Sequence, residues 1–487
     1  MATADRIEHI FVLMLENRSF DHLLGFSHLD GTDAETGQRT AIDGLDGTES
    51  NDYGGKTYRV TPGADLVMPA DPGHEFHDIL HQLCGMNANY PRGGPYPPIN
   101  RSGYVASYAE TGGSSNPGEI MKCFTPDQLP VLYALAREFA VCDNWHAGMP
   151  GPTWPNRMFL HAGSSGGLDH SPSTTEIIDW ETGPGYSFLN NTIFDRLNTA
   201  RIAWRIYAGD HFPMVAALRG INPLLDVREF DDRFASDLQQ ASYPYSYTFI
   251  EPRYDVLNNY EFGNSQHPLN DVRAGELLTK TTYEAIRNSP HWESSLLIIT
   301  WDENGGFFDH AFPPAAISPG DSWQDSKYNR NGFMFDRHGP RVPALVISPL
   351  IAQNIIDHRL YDHTSVLATI EHRFGIVGMT NRDRSASPLL PLVTLSAPRP
   401  TPDSLPDPAP PFQPETLAPT TPAASLGDQP VDNGNLPAIL YSALQQDLKM
   451  SPQNRQQILE NAKAIRTAAD AAAYLKEVEA TLASRKT

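Results

Sequence analysis

Four short apolar runs constrain the fold of this chain more than any other feature. They lie at residues 10–15 (IFVLML), 202–208 (IAWRIYA), 296–301 (LLIITW) and 343–349 (PALVISP). Continuous apolar runs of this length are typical of strands that are covered on both faces, as in a buried parallel sheet. Helical patterns lie between or after them, at residues 127–141, 274–289 and 363–375. Strands that alternate with helices over this length predict an α/β fold.

The composition divides the chain into three parts. Its 487 residues are many for a single core and fit either one large domain with an appendage or two domains. We predict a main domain over residues 1–395, with long irregular loops at 25–120 and 305–340. A Pro-rich linker or surface strap is predicted over 396–436, followed by a helical segment over 437–487. The C-terminal helices are a candidate surface for oligomer formation.

The acidic balance of the chain limits its partners. A net charge of −22 disfavours nucleic acid, because nucleic-acid binding needs a basic surface. No apolar run reaches the roughly 18 residues that a membrane-spanning helix needs, so no transmembrane segment is predicted. The first residues, MATADRIEHI, do not resemble a signal peptide, and this predicts a cytoplasmic protein. The alternatives are export by a signal-independent route and a leader that precedes this sequence.

The chain contains three scattered cysteines, Cys84, Cys123 and Cys142. They are too few for a disulfide framework or a zinc cluster. Buried free thiols are favoured over a single disulfide.

Acidic and amide residues follow two of the apolar runs directly. The run at 10–15 ends in Glu16 and Asn17, and the run at 296–301 ends in Asp302 and Glu303. Ligands of open α/β sheets bind beyond the carboxyl ends of the strands, so these side chains are expected at one edge of the sheet. Three carboxylates would repel one another, and a divalent cation removes that conflict. The oxygen donors favour Ca²⁺, Mg²⁺ or Mn²⁺, while a nearby histidine would keep Zn²⁺ as an alternative.

Each of these segments also has a simpler interpretation. Residues 16–19 are typical of a helix start, in which Asn17 or Ser19 is the N-cap and Glu16 pairs with Arg18. Residues 302–306 contain the Asn-Gly pair of a tight hairpin turn. The same kind of ending on two strands favours the metal site over both simpler interpretations.

A third segment, GPTWPNR at residues 151–157, places a hydroxyl at the start of a helical pattern. Thr153 occupies the position of an N-cap. The N–H groups and the positive dipole end of a helix N-terminus attract anions such as phosphate. A metal ion beside the hydroxyl would lower its pKa and make it a nucleophile toward phosphorus. The simpler interpretation is a threonine that only caps its helix.

Histidines supply further candidates, because phosphoryl transfer needs donors to the phosphate oxygens and an acid for the leaving group. The candidates are His74, His77, His81, His267, His310 and His363. Any one histidine is more often structural, and the two at 77 and 81 lie one helical turn apart, as residues that cover a surface do.

The order of these motifs resembles the phosphoesterase family, which includes bacterial phospholipases C, plant non-specific phospholipase C and a bacterial acid phosphatase. The resemblance covers about residues 7–395. The matching segments are ENRSFDH (16–22), DPGH (71–74), GPTWPNR (151–157), HP (267–268), SPHW (289–292), DENGGFFDH (302–310), PRVPALVISP (340–349) and YDHTSVL (361–367). The resemblance implies an alkaline phosphatase-like α/β/α sandwich, with a phosphoesterase catalytic domain over 1–395.

The resemblance also implies a role for each candidate residue. One divalent metal ion would be held by Glu16, Asn17, Asp302 and Glu303. Thr153 would be the nucleophile that forms a covalent phospho-enzyme, and Asn17, His74 and the metal would stabilise the equatorial phosphate oxygens during catalysis. The residues expected to contact the substrate are His74, His267, Asn156, Arg157 and His310. Among the two histidines of the phosphate site, His267 is the expected acid for the leaving alcohol. The family carries a further histidine between the nucleophile and the HP motif, and His211 is the nearest candidate for it in this sequence.

Two activities and one non-enzymatic function fit these motifs. The favoured activity is a metal-dependent phospholipase C that releases diacylglycerol and a phosphorylated head group through a phospho-threonine. The first alternative is an acid phosphatase that acts on phosphomonoesters, and the second is a protein that binds metal and phosphate without turnover. The Tyr- and Pro-rich stretch at residues 89–108 offers apolar groups for acyl chains and favours the lipase.

Overall fold

In the computed structural model of the protein, a ten-stranded mixed sheet lies at the centre of the fold. The structure describes residues 3–111, 115–182, 186–321, 326–412, 427, 429–432 and 435–486. The strands of this sheet and of three two-stranded sheets are β1 (His9–Leu15), β2 (Asp30–Asp33), β3 (Arg39–Ala41), β4 (Ser50–Tyr53), β5 (Lys56–Arg59), β6 (Thr61–Pro62), β7 (Lys122–Cys123), β8 (Ala140–Cys142), β9 (Trp145–His146), β10 (Trp204–Ala208), β11 (Val227–Glu229), β12 (Tyr247–Glu251), β13 (Ser295–Trp301), β14 (Ala344–Ile347), β15 (Ile355–Asp357) and β16 (Tyr361–Asp362).

The strands of the large sheet follow one another in the order β11-β10-β12-β1-β13-β14-β8-β15-β2-β3. The α-helices are α1 (Phe20–Leu24), α2 (Phe76–Cys84), α3 (Tyr104–Thr111), α4 (Pro130–Glu138), α5 (Thr153–Ala162), α6 (Thr174–Thr182), α7 (Ile193–Ala200), α8 (Phe230–Leu238), α9 (Val272–Arg287), α10 (Thr364–Phe374), α11 (Asn381–Ser385), α12 (Leu436–Met450), α13 (Arg455–Ala464) and α14 (Ala468–Lys486). The predicted α/β class is confirmed by this combination of a large sheet and many helices.

Two of the apolar runs form the central pair of strands. β1 and β13 are buried along their whole length and lie side by side in parallel. Their register pairs Leu15 with Trp301, so the two strands end level with each other. The next residues, Glu16 and Asp302, therefore leave the sheet at the same edge, where open α/β sheets bind their ligands.

The predicted direction of one strand was wrong. β14 is buried as its apolar sequence predicts, but it runs antiparallel to both β13 and β8. The described part of the connection from β13 to β14 contains no helix, and parallel neighbours usually need a helical crossover. An apolar run thus indicates a covered strand, whereas the connection decides its direction.

The predicted irregular region at residues 25–120 contains more regular structure than expected. It holds α2, α3 and five short strands, β2 to β6. The amphipathic face of α2 is buried, and the helix begins with a reciprocal capping box between Glu75 and Asp78. Pro, Gly and Tyr in the sequence obscured these short elements, because each spans only one or two turns or a few residues.

The chain beyond residue 395 packs against the rest of the molecule. The described part of the Pro-rich stretch contacts α9, where the Tyr283 hydroxyl donates to the carbonyl of Pro402 at 2.6 Å. Farther on, Lys449 of α12 donates to the carbonyl of Ile221 at 2.6 Å. Residues 413–426, 428 and 433–434 of the predicted linker lie outside the described residues.

Two further predictions concern the whole chain. In the part that the structure describes, no helix is both long and apolar enough to cross a bilayer. Cys84, Cys123 and Cys142 are all free, which confirms the prediction of unpaired thiols, and Cys84 is only half-buried.

Candidate active site

The ends of β1 and β13 bring four predicted metal ligands into one cluster. The backbone N–H of Asn17 donates to Asp302 Oδ1 at 3.0 Å, and the N–H of Glu303 donates to the same oxygen at 2.7 Å. Glu16 precedes Asn17 directly, and all four side chains are fully buried. The parallel register of the two strands therefore places three carboxyl groups and an amide together, away from water.

The backbone of this cluster depends on a close approach between two loops. Asn17 has a φ of 55°, in the left-handed region that asparagine tolerates better than most residues. Gly305 has a φ of 60°, and a Cβ built on it would lie 2.1 Å from the carbonyl oxygen of Asn17. Only glycine fits there. The Asn-Gly-Gly motif thus makes a contact between two strand-end loops, and the hairpin interpretation is wrong.

The helix-start interpretation of residues 16–19 holds in part. α1 begins after Ser19, whose hydroxyl accepts a hydrogen bond from the N–H of His22 at 3.1 Å. The predicted pairing of Glu16 with Arg18 is replaced by other contacts, because Arg18 Nε donates to the carbonyl of Gln266 at 2.7 Å. A helix cap and a ligand cluster therefore occupy neighbouring residues of one motif.

The carboxyl groups of the cluster have too little positive charge around them. Burial, together with the neighbouring Asp302, raises the pKa of Glu16 to about 8. Burial also raises the pKa of Glu303 well above its ordinary value. Among the described residues, Glu16 Oε2 and Glu303 Oε1 have no hydrogen-bond partner. Buried, unpaired carboxylate oxygens are the ligands of a hard divalent cation, so this donor set fits such an ion.

Thr153 lies against this cluster. Its hydroxyl donates to Asn17 Oδ1 at 3.1 Å, and the side chain is buried. The helix begins one residue earlier than predicted: Pro152 is the N-cap and Thr153 is the first residue of α5, without a capping hydrogen bond. The simpler interpretation of Thr153 as an N-cap is therefore wrong, and its hydroxyl points to Asn17 instead.

Asn156 organises the loop that precedes Thr153. Its Oδ1 accepts from the N–H of Met149 at 3.0 Å, and its Nδ2 donates to the carbonyls of Gly151 and Pro152 at 2.9 and 3.0 Å. Both donors of the amide are used by the backbone. These contacts hold the loop that precedes Thr153, and the expected contact between Asn156 and substrate stays a prediction.

Arg157 provides the positive charge nearest to the carboxyl cluster. Its Nε donates to Asp302 Oδ2 at 2.9 Å, and its Nη2 donates to the carbonyl of Leu15 at 3.0 Å. The guanidinium also lies over the ring of Tyr254, 5.2 Å from its centroid. Nη1 has no hydrogen-bond partner in the described residues. Arg157 therefore balances one carboxylate of the three and keeps one buried donor unpaired.

His74 and His267 meet beside the cluster, with ring centroids 6.4 Å apart. Burial alone would lower the pKa of His74, but the carboxylates of Glu303 and Asp71 raise it to about 10. Burial lowers the pKa of His267 well below its ordinary value, and the charge of His74 lowers it further. The His267 ring also stacks on Tyr260 at 3.5 Å. These surroundings favour the protonated form of His74 and the neutral form of His267, whereas His267 was the expected acid.

His310 belongs to a different ion-pair network. Its Nδ1 lies 2.8 Å from Asp21 Oδ2. Asp21, Asp309 and His310 offer three ligand atoms within 4.8 Å of one another. Arg341, however, already donates to Asp21 at 3.0 Å and to Asp309 at 2.9 Å. Its guanidinium supplies the positive charge in this network, and the expected substrate contact of His310 finds no support in these contacts.

His211 lies at the surface, in contrast to the buried histidines. Its side chain is 51 % exposed, and its Nε2 lies 3.1 Å from Glu479 Oε1 on α14. These contacts do not support His211 as the further family histidine.

Three site residues were missed by the sequence analysis. Arg18 donates to the carbonyl of His267 at 3.2 Å, and the Tyr260 ring packs on His267. Asn435, from far along the chain, donates its Nδ2 to Glu16 Oε1. Arg18 lies inside the ENRSFDH motif, and an arginine so close to the end of a predicted buried strand could have indicated a site residue. Tyr260 and Asn435 lie in no recognised motif.

Known proteins resemble this chain over most of its length. A model of the Phosphoesterase family matches residues 7–377. The chain belongs to the phosphoesterase family. Non-specific phospholipase C6 of Arabidopsis thaliana is 34 % identical over 421 residues, which cover 83 % of this chain and 76 % of that protein. Phospholipase C B of Mycobacterium tuberculosis is 31 % identical over 412 residues, which cover 76 % of this chain and 74 % of that protein.

A solved structure of a protein in the alkaline phosphatase superfamily from Vibrio parahaemolyticus also matches this phosphoesterase, with a TM-score of 0.33 and 16 % identity. The match covers 57 % of this chain and 66 % of that chain. The resemblance that the motifs indicated is confirmed by the family match, and the phosphoesterase is a hydrolase that acts on phosphoester bonds.

Proposed function

We propose that this phosphoesterase is a phospholipase C with Thr153 as its nucleophile. The observation that carries the proposal is the buried hydrogen bond of 3.1 Å between the Thr153 hydroxyl and Asn17, at the tip of the strand that ends in Glu16. A hydroxyl in this position is shielded from water and held beside the carboxyl cluster. The similarity to phospholipases C of plants and mycobacteria supports a phospholipid substrate.

The carboxyl cluster is the proposed site of one divalent metal ion, with Glu16, Asn17, Asp302 and Glu303 as its ligands. A bound ion would lower the pKa of the neighbouring hydroxyl and reduce the negative charge of the phosphate. The two unpaired oxygens, on Glu16 and Glu303, support this assignment. Arg157 holds Asp302 in its orientation through the 2.9 Å ion pair.

The remaining groups bind and orient the phosphate. The N-terminus of α5 offers backbone N–H groups and a positive dipole end to the phosphate oxygens. His74 Nδ1 donates to the carbonyl of Pro72 at 2.9 Å, which leaves Nε2 to donate to a phosphate oxygen or to the leaving alcohol. His267 packs against His74 and shapes the same side of the site.

The reaction then proceeds in two displacements. The Thr153 oxygen attacks phosphorus as the hydroxyl loses its proton, and the bond from phosphorus to the diacylglycerol oxygen breaks. That oxygen takes up one proton, so the net transfer of a proton from Thr153 to the leaving alcohol balances the step. Water next attacks phospho-Thr153, releases the phosphorylated head group and restores the hydroxyl. The covalent intermediate divides one difficult displacement into two easier ones.

Hydrolysis assays with Thr153→Ala test the proposal. Wild type should cleave phosphatidylcholine micelles to diacylglycerol, lose this activity in EDTA and regain it with Ca²⁺, Mg²⁺, Mn²⁺ or Zn²⁺. Thr153→Ala should lower kcat by about 10³-fold or more. The matched control is Thr192→Ala, since Thr192 is also buried at a helix start, and its hydroxyl bonds, within the described residues, to Asp195. It should keep wild-type kcat.

Three outcomes would contradict this function. Faster turnover of p-nitrophenyl phosphate than of phosphatidylcholine would indicate a phosphatase. Equal activity of Thr153→Ala and wild type would exclude the nucleophile. A protein that binds a divalent ion but hydrolyses neither substrate would be a binding protein.

A further inference from the structure

A residue from the C-terminal part of the chain reaches into the candidate active site. Asn435 immediately precedes α12, and its side chain is only 4 % exposed. Its Nδ2 donates to Glu16 Oε1, and its backbone N–H donates to the Tyr260 hydroxyl at 3.4 Å. Tyr260 in turn stacks on His267. Asn435 therefore contacts both the carboxyl cluster and the support of the histidine pair.

The side chain of Asn435 makes this contact instead of a common local one. Asparagine at a helix N-cap usually accepts a hydrogen bond from an N–H group of the first turn. Asn435 is the N-cap of α12 but makes no such bond. A buried polar side chain that leaves its helix uncapped and pairs with Glu16 indicates a role at the site.

The helix behind Asn435 is firmly attached to the rest of the molecule. Gln446 donates to the carbonyl of His211 at 3.1 Å, and Lys449 donates to the carbonyl of Ile221. The ring of Tyr441 packs on Trp180 with centroids 5.3 Å apart. These contacts hold α12 in place, so the position of Asn435 is set by a packed helix.

We propose that Asn435 is a positioning residue for the metal site. The inference rests on the proposed function, because it takes Glu16 as a metal ligand. Asn435 binds one oxygen of Glu16 and leaves the other, Oε2, unpaired for the cation. Hydrogen bonds to the outer oxygen of a ligating carboxylate fix its orientation, and their loss typically weakens metal binding by about 10- to 100-fold.

Metal binding to the purified full-length protein tests this role without relying on turnover. Asn435→Leu keeps nearly the shape of the side chain and removes its donor. Isothermal titration calorimetry with Ca²⁺, Mg²⁺, Mn²⁺ and Zn²⁺, each added alone to EDTA-treated protein, gives the affinity. For the ion that wild type binds best, we expect Kd to rise by about 10- to 100-fold in Asn435→Leu.

Asn454→Leu is the matched control. Asn454 is the N-cap of α13, also lacks a capping side-chain bond, and is exposed. Its substitution should change Kd by less than about twofold, as expected for a surface position. Urea unfolding of each variant in EDTA identifies any variant that fails to fold. If Asn435→Leu is unfolded, Asn435→Ser, which retains a shorter hydroxyl donor, is titrated instead and should still bind the ion more weakly than wild type.

The outcomes separate this proposal from the proposed function. Wild-type Kd in a folded Asn435 variant, together with inactive Thr153→Ala, would overturn the role of Asn435 and leave the phospholipase C proposal intact. Equal weakening by the Asn435 and Asn454 substitutions would also overturn it, because the effect would then be general. If wild type binds none of the four ions, both the proposed metal site and the positioning role of Asn435 are refuted.

Discussion

Substitution of Gly305 by alanine tests whether the close approach of the two strand-end loops builds the active site. A Cβ at this position would lie 2.1 Å from the Asn17 carbonyl oxygen, whereas real Cβ atoms essentially never come within 3.0 Å of a neighbour. The Asn17 backbone must therefore move by roughly 1 Å, and a displacement of that size at a reacting group costs about 10²-fold in rate. We expect kcat/KM of Gly305→Ala to fall by about 10²-fold.

Gly54→Ala separates the steric clash from backbone strain. Gly54 has a φ of 59°, close to the 60° of Gly305, but a Cβ built on it meets no atom within 4 Å. Gly54→Ala should lose about 1–2 kcal/mol of unfolding free energy from the left-handed conformation, measured by urea denaturation, and Gly305→Ala should lose more because its Cβ also clashes with Asn17. Only Gly305→Ala should lose activity on phosphatidylcholine at saturating metal. Wild-type kcat/KM in Gly305→Ala, or an equal loss in Gly54→Ala, would refute the reasoning.

Two further substitutions test how buried ionisable groups affect the stability of the fold. Arg157→Met leaves Asp302 without its buried ion pair, so urea unfolding in EDTA should show a loss of about 3–5 kcal/mol in unfolding free energy. The exposed control Arg233→Met should change that free energy by less than about 0.5 kcal/mol. Similar losses in the two variants would contradict the reasoning. Burial, together with Asp383, raises the pKa of Glu371 from 4.5 to about 9. The folded protein then holds a proton that the unfolded chain releases, so this group lowers stability as pH rises between those two values, by about 1.4 kcal/mol per pH unit. Glu371→Gln should remove that slope from the urea-unfolding free energy measured between about pH 6 and 8, and an unchanged slope would show that Glu371 has an ordinary pKa.

The position of the candidate site could be predicted from the sequence because it depends on local features that repeat. A buried strand that ends in Glu16-Asn17 and another that ends in Asp302-Glu303 needed only to be neighbours, and the register of β1 and β13 makes them so. Thr153 followed from its place at a helix start, where the prediction missed the first helical residue by one.

Other parts of the site depend on contacts that leave no local signal. His74 and His310 both lie in recognised motifs, but His74 faces Glu303 while His310 faces Asp21 and the guanidinium of Arg341. Their different roles arise from neighbours that are distant in sequence. The direction of β14 was likewise set by its connection, and its apolar residues are equally compatible with either direction.

The hydrogen bond between Asn435 and Glu16 has a consequence for biosynthesis. It joins residues 419 positions apart in the chain. At a ribosomal rate of roughly 5–20 residues per second, Asn435 is synthesised on the order of 20–80 s after Glu16. The nascent chain can form much of its central sheet during that interval, but Glu16 lacks this hydrogen bond until residue 435 has been added and α12 has docked. This hydrogen bond can therefore form only after translation has passed residue 435.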